Sequence, residues 1–174
     1  MGLRLTKLTR EHETALRDML DEWRADIVAR HTDGSPAAIF AADPSDFDAY
    51  VASLEPRPVP AGRVPNSVFF LLDEKSGRLL GAVDIRHELN DWLLAHGGHI
   101  GDGIRPSERG HGLGTRLVAL ALDECRSLGI ERVLMVCSAD NVASAKSIEA
   151  NGGVLENEVT SDDGSLQQRF WIDL

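Results

Sequence analysis

The sequence predicts a mixed α/β fold, and three observations predict it. Val133-Leu134-Met135-Val136-Cys137 is an uninterrupted apolar run of strand length, the pattern of a strand buried on both faces. Gly112 to Leu128 is the strongest helical segment, with Leu113, Leu117, Val118, Ala121, Cys125 and Leu128 on one face and Gly129 as its stop. A glycine-rich strand from Gly98 to Arg105, stopped by Pro106, precedes it. Together these make one interior βαβ unit over residues 99–138.

The remaining elements follow in order. Leu3 to Lys7 reads as a strand. Thr9 suits a helix cap, with Glu11 and Glu13 in the first turn, where negative charge is favoured. Leu16, Met19, Leu20, Trp23 and Ile27 recur at helical spacing up to Arg30. Asp43-Pro44 marks a second helix start that ends before Pro56. Pro56, Pro58, Pro60, Gly62 and Pro65 make an extended connector. Ser67–Leu72 and Leu79–Arg86 read as strands joined by the turn at residues 73–77, and residues 88–98 form a loop containing Trp92. After the buried strand, a helix from Asn141 to Asn151 closes at Gly152-Gly153. Strands at 154–160 and 167–172 flank a turn at Asp162-Asp163-Gly164.

A chain of 174 residues suits a single domain, 1–174. With 43% apolar and 26% charged residues it has a globular composition. No apolar run approaches the roughly 20 residues that span a bilayer, and the N-terminus lacks a signal-peptide layout, so no membrane partner is expected. Two cysteines, Cys125 and Cys137, are too few for a disulfide scaffold and point to a reduced, cytoplasmic protein. The net charge of −10 argues against a nucleic-acid partner. It is compatible with a cationic small substrate and with a solvated acidic surface.

The chemistry concentrates in Ile104-Arg105-Pro106-Ser107-Glu108-Arg109-Gly110-His111-Gly112-Leu113-Gly114-Thr115. Glycines at 110, 112 and 114 let the backbone turn tightly between a strand and a helix N-terminus. Loop amides and the first free helical N–H groups there make an anion site suited to a phosphate group. The helix dipole is worth about 0.3–1 kcal/mol, and charge-assisted amide bonds, about 1.5–3 kcal/mol each, dominate. The segment is neither a P-loop nor a dinucleotide fingerprint. The same glycines also suit a plain strand-to-helix turn.

Arg109-x-x-Gly112-x-Gly114 resembles the R/Q-x-x-G-x-G/A signature of the GNAT superfamily of N-acetyltransferases, and Ile-Arg-Pro-Ser-Glu is similar to the usual approach to it. Asn141, Ser144 and Gly152-Gly153 resemble that superfamily's second block. The resemblance implies a mostly antiparallel central sheet with a parallel, splayed strand pair and helices on both faces. It implies acetyl-CoA as co-substrate, a small-molecule or peptide amine as acceptor, and, by family habit, a homodimer. Arg109, Gly110, His111, Gly112, Leu113 and Gly114 would hold the pyrophosphate, with the Thr115 hydroxyl beside them. The strand around Ile104 would pair with the pantetheine arm, and a bulge at Gly101-Asp102-Gly103 would free backbone groups for the thioester carbonyl. Asn141 would contact the pantetheine, and Ser144 and Lys146 the far end of the cofactor. Asn141 also suits a helix cap.

Relatives place a tyrosine seven residues after the helix-start asparagine to protonate the leaving thiolate. Here that position is Ile148, and the only tyrosine is Tyr50. Ser144 and Ser147 are nearby but poor acids. For the base, His87, Glu88, Asp91, His96, His99 and Asp102 cluster in sequence. Histidine titrates near neutral pH and His99 begins the cofactor strand, so His99 ranks first, followed by Glu88 and Asp102. A structural histidine is the competing reading. Two rival functions remain: a zinc site from His87, His96, His99 and Glu88, although their spacing follows no established ligand pattern, and a non-catalytic CoA-binding or interaction module on the same fold. The expected activity is acetyl transfer by direct attack in a ternary complex, without metal; the acceptor is not legible.

Overall fold

In the computed structural model, which describes residues 2–32, 34–161 and 163–174, the strands divide between two sheets. Strands β1 (Leu3–Thr6), β2 (Asn66–Asp73), β3 (Arg78–Arg86) and β4 (Ile100–Ile104) form the first, in that order. Strands β5 (Arg132–Ser138), β6 (Val154–Thr160) and β7 (Leu166–Asp173) form the second, ordered β5-β7-β6. Every ladder within either sheet is antiparallel.

The βαβ unit joins the sheets. Helix α3 (Leu113–Ser127) connects β4 to β5. Gly98 abuts Leu134 and Met135, and Asp102 lies near Cys137, so the two strands advance in the same direction. The backbone bond from His99 N–H to Leu134 O precedes β4, and beyond it β4 and β5 belong to separate sheets, which makes the expected splayed pair and leaves a wedge between the sheets.

Helices cover both faces. Helices α1 (Glu13–Arg30) and α2 (Phe47–Leu54) pack Leu16, Leu20, Trp23, Phe47 and Tyr50 against Val68, Phe70 and Ala82. Helices α3 and α4 (Val142–Glu149) pack Leu117, Val118, Ala121 and Ile148 against Val83, Ile85, Met135 and Phe170 on the other face. Each such large aliphatic side chain contributes about 1.5–3 kcal/mol by burial. A β-bulge where Leu71 and Leu72 pair with Gly81 and Leu79 inserts Leu80. From Gly81 onward β3 is re-phased, so Ala82, Asp84 and Arg86 face the α1 side.

Several elements differ from the sequence reading. The second helix starts at Phe47, because the Asp46 carboxylate caps Ala49 N–H at 3.0 Å. Asp43 instead accepts from Ser45 N–H within a turn. A 3₁₀ turn, Arg10–His12, stands between Thr9 and α1, and Thr9 N–H donates to His12 Nδ1 at 3.0 Å. The loop after β3 holds a π-helical turn, Leu93–Gly97, which Asn90 opens by accepting from Leu93 N–H. The bulge expected at Gly101-Asp102-Gly103 is absent: Val83 pairs with Asp102, and Ala82 and Asp84 with its glycine neighbours, without a register shift. Backbone groups are freed there by the parting of β4 from β5. Asp162, in the expected last turn, lies outside the described residues; Gly164 N–H donates to Ser161 O at 2.8 Å. Among the described residues no helix is long and apolar enough to cross a membrane.

Candidate active site

Pro106 ends β4, and a single 3₁₀ turn, Pro106–Glu108, leads into the glycine loop. Gly110 and Gly112 have φ of 81° and 76°, which L side chains rarely adopt. Open space surrounds both, so conformation, not room, demands glycine there. Arg109 N–H donates to Pro106 O, and the next loop N–H with an acceptor is that of Arg116, which reaches Gly112 O. From Gly110 to Thr115 the main-chain N–H groups have no acceptor among the described residues. They converge on the N-terminus of α3, which has no side-chain cap.

A groove of about 550 Å³ runs from this loop along β4. Gly103, Ile104, Arg109, Asn141, Ser144 and Lys146 border it, with Asp102 farther along. The Asn141 carboxamide caps α4, accepting from Ser144 N–H at 3.1 Å, and the residue also borders the groove. Lys146 is exposed. Two side chains are spoken for. Arg109 turns away from the loop: its Nε donates to Ile104 O at 3.0 Å and its Nη1 to Asp26 at 2.7 Å, with the guanidinium over Trp23. Thr115 Oγ1 donates to Ser147 Oγ at 3.3 Å. His111 stays exposed, with Nδ1 3.3 Å from Glu108 O. Leu113 and Gly114 line the groove, and Gly114 lets α4 come close: a Cβ there would sit 3.3 Å from Ser147 Oγ.

The base candidates separate. His99 is 7% exposed and lines neither cavity described here. Its Nδ1 accepts from Leu134 N–H at 2.9 Å, and its own N–H donates to Leu134 O at 2.7 Å. Burial, with the Arg86 charge nearby, lowers its pKa to about 4, so the ring is neutral at pH 7. Glu88 is exposed and lines neither cavity. Asp102 lines the groove inside the wedge, and burial pushes its carboxyl up to about 6. Pairing of Arg105 N–H with Leu80 O sets the ladder alternation, which turns the N–H and C=O of Ile100 and Asp102 toward β5.

A second cavity, about 310 Å³, lies on the α1 face of the same strands, lined by Ala37, Leu54, Asn66, Asp84, Arg86 and Trp92 among others. Between the two, Ser35 O and the Trp23 ring press on Gly103, where a Cβ would collide with both. The sequence reading missed Asp84 and Arg86. Two charged residues two apart in an otherwise apolar strand were the available signal. It also missed Arg105, which is 2% exposed and ties β4 to α1 through Asp18 and Glu22 and to Leu79 O.

Ile148 is buried in the core, and Tyr50 donates its hydroxyl to Ile39 O at 2.9 Å, with burial raising its pKa. Among the described residues no three His, Cys, Asp or Glu side chains converge as metal ligands. His87 Nε2 lies 2.9 Å from Ser67 Oγ.

The acetyltransferase (GNAT) family matches the chain over residues 16–152. No curated protein matches it. Among solved structures, the ribosomal-protein-S5-alanine acetyltransferase from Vibrio fischeri superposes with a TM-score of 0.70 at 16% identity, over 99% of this chain and 93% of that one. The putative acetyltransferase yncA from Salmonella typhimurium, solved with its cofactor acetyl-CoA, gives 0.63 at 17% identity, over 100% and 95%. Mutant forms of the spermidine/spermine N-acetyltransferase SpeG from Vibrio cholerae give 0.63 at 16%, over 99% and 95%.

Proposed function

The chain belongs to the acetyltransferase (GNAT) family, and on that premise we propose that residues 1–174 act as one domain that transfers the acetyl group of acetyl-CoA to a primary amine by direct attack in a ternary complex. The observation that carries this reading is the run of unpartnered N–H groups from Gly110 to Thr115 at the head of a groove that ends in the wedge. When bound, acetyl-CoA supplies an acyl thioester, already activated for attack by an amine.

The protein's own groups divide the remaining work. The loop N–H groups receive the diphosphate, at about 1.5–3 kcal/mol for each charge-assisted bond. Arg109 positions that loop by tying it to Ile104 O and Asp26. Asn141, Ser144 and Lys146 border the groove on the α4 side and would hold the extended arm and the far end of the cofactor. The outward N–H groups of β4 at Ile100 and Asp102 would hold the arm and donate to the thioester carbonyl. Asp102 takes the proton from the acceptor ammonium through a water; its raised pKa leaves it ionised at pH 7 yet basic enough for the task. His99, neutral and clamped to Leu134, holds the apex of the wedge.

The non-catalytic reading draws on Ile148 and Tyr50, neither of which offers a proton to the leaving thiolate. One experiment separates the readings: acetyl-CoA titrated by calorimetry, then free-thiol release with a panel of amines. Binding with steady turnover supports the transferase; binding without turnover supports the module; no binding overturns the loop assignment.

A further inference from the structure

We propose that the acceptor is a small amino acid-like compound whose carboxylate is held by Arg86 in the cavity beside Gly101. The proposal rests on the transferase reading above and deepens it. Arg86 is well braced. Its Nε faces Asp84 Oδ2 at 3.3 Å, and its Nη1 donates to Gly97 O at 3.0 Å and approaches Gly98 O at 3.4 Å. Its Nη2 has no acceptor among the described residues, although the side chain is only 19% exposed. That nitrogen lies 3.0 Å from where a Cβ on Gly101 would stand, so it sits over β4 at the residue before Asp102. A largely buried guanidinium whose Nη2 has no acceptor among the described residues is suited to hold a carboxylate oxygen by charge-assisted hydrogen bonds.

The charge of the cavity points the same way. Asp84 is its one lining carboxylate, and both oxygens are engaged: Oδ1 accepts from Asn66 Nδ2 at 2.7 Å and Oδ2 faces Arg86. Arg63, exposed at the cavity wall, adds a second cation with no ion-pair partner among the described residues. The lining therefore carries one negative and two positive groups, although the whole chain is at −10. A polyamine would meet no free carboxylate there. A volume of about 310 Å³ suits a compact ligand. With its carboxylate on Nη2, such a ligand has its amine a few bonds away, beside Gly101 on β4, the strand that borders the wedge.

The test compares acetylation of glycine, β-alanine and 4-aminobutyrate with that of their carboxamides and of spermidine, read as free-thiol release, alongside acetyl-CoA binding by calorimetry. The α-amine of glycinamide is less basic than that of glycine, so the intrinsic reactivity of that pair works against the expected result. Expected is a carboxylate preference in kcat/KM of roughly 10–100-fold for at least one chain length. In Arg86→Gln the preference collapses through KM. Arg86→Lys, which keeps the charge and loses the braced guanidinium, recovers part of it. Acetyl-CoA binding with carboxamides or spermidine used as well as the carboxylates, or with no carboxylate used at all, overturns the proposal while leaving the cofactor site standing. Absent acetyl-CoA binding by the wild type overturns the underlying transferase reading as well. The wild-type preference is measured without any variant, so poor folding of Arg86→Gln leaves the proposal open to refutation.

Discussion

His99 and the backbone of Leu134 exchange two hydrogen bonds: the imidazole Nδ1 accepts from Leu134 N–H at 2.9 Å, and the His99 main-chain N–H donates to Leu134 O at 2.7 Å. One side chain substitutes for a rung of ladder where β4 and β5 would otherwise have none. Burial, and then the Arg86 charge, disfavour the imidazolium, and the neutral ring keeps Nδ1 free to accept the Leu134 N–H.

His99→Ala is expected to lose stability and keep its chemistry. The folded pKa of about 4 lies below the unfolded 6.5. The unfolded chain therefore binds the extra proton, and the stabilisation is full above pH 6.5 and lost as the pH falls toward 4. It amounts to roughly 2–3 kcal/mol. Urea unfolding between pH 4.5 and 7.5 should show a shallower pH slope in the variant. Its kcat/KM profile should keep the wild-type shape; a lost limb would restore His99 to the mechanism.

Asp102→Asn is expected to lower kcat by roughly 10²–10⁴-fold and to remove an acid limb near pH 6, with acetyl-CoA affinity retained. Stability should move the other way. A carboxyl with a raised folded pKa favours the fold below its unfolded pKa and loses that contribution as the pH rises through about 6. The amide should therefore be more stable at pH 7.5 by roughly 1–3 kcal/mol. Stopped turnover together with a lowered melting temperature would mean a structural role instead.

Gly112→Val places a β-branched side chain at φ 76°. Left-handed backbone costs roughly 1–2 kcal/mol for such residues, and relief of that strain would turn the N–H groups of the loop away from the anion. Acetyl-CoA affinity should fall roughly 10-fold or more by calorimetry. Unchanged affinity would contradict the diphosphate assignment.

The fold was legible where periodicity was strong. The apolar run at 133–137 became β5, and the face built from Leu117, Val118 and Ala121 became the buried side of α3. Gly112 could be read from backbone geometry, since its φ of 76° favours glycine, and Asn141 as the cap of α4; the ties of Arg109 to Ile104 O and Asp26 had no local signal. His99 ranked first as a base on its ordinary titration range, and its burial, which sequence does not reveal, lowers its pKa and places it below Asp102 in the proposed mechanism. The convergence of Arg86 on Gly101 depends on the pairing of β3 with β4, and the phase of β3 depends on the bulge at Leu80. Neither follows from local composition.

Removing both thiols should leave the reaction intact. Cys125 is fully buried with its thiol pushed up to about 12, and Cys137 is also buried and raised, so neither supplies a thiolate at neutral pH. Cys125→Ser with Cys137→Ser should keep kcat within about threefold of wild type per folded molecule, after a stability loss of about 1–3 kcal/mol per site. Mass spectrometry after mixing with acetyl-CoA should show no acetylated enzyme.

Because the two sheets separate beyond His99, the molecule carries two strand edges that look inward. They escape the hazard of ordinary unpaired edges, which recruit other chains. They remain short of partners until something long, thin and rich in amides slides between them. Loading then knits the two halves of the protein together, and its resistance to heat should climb with the concentration of the donor it consumes.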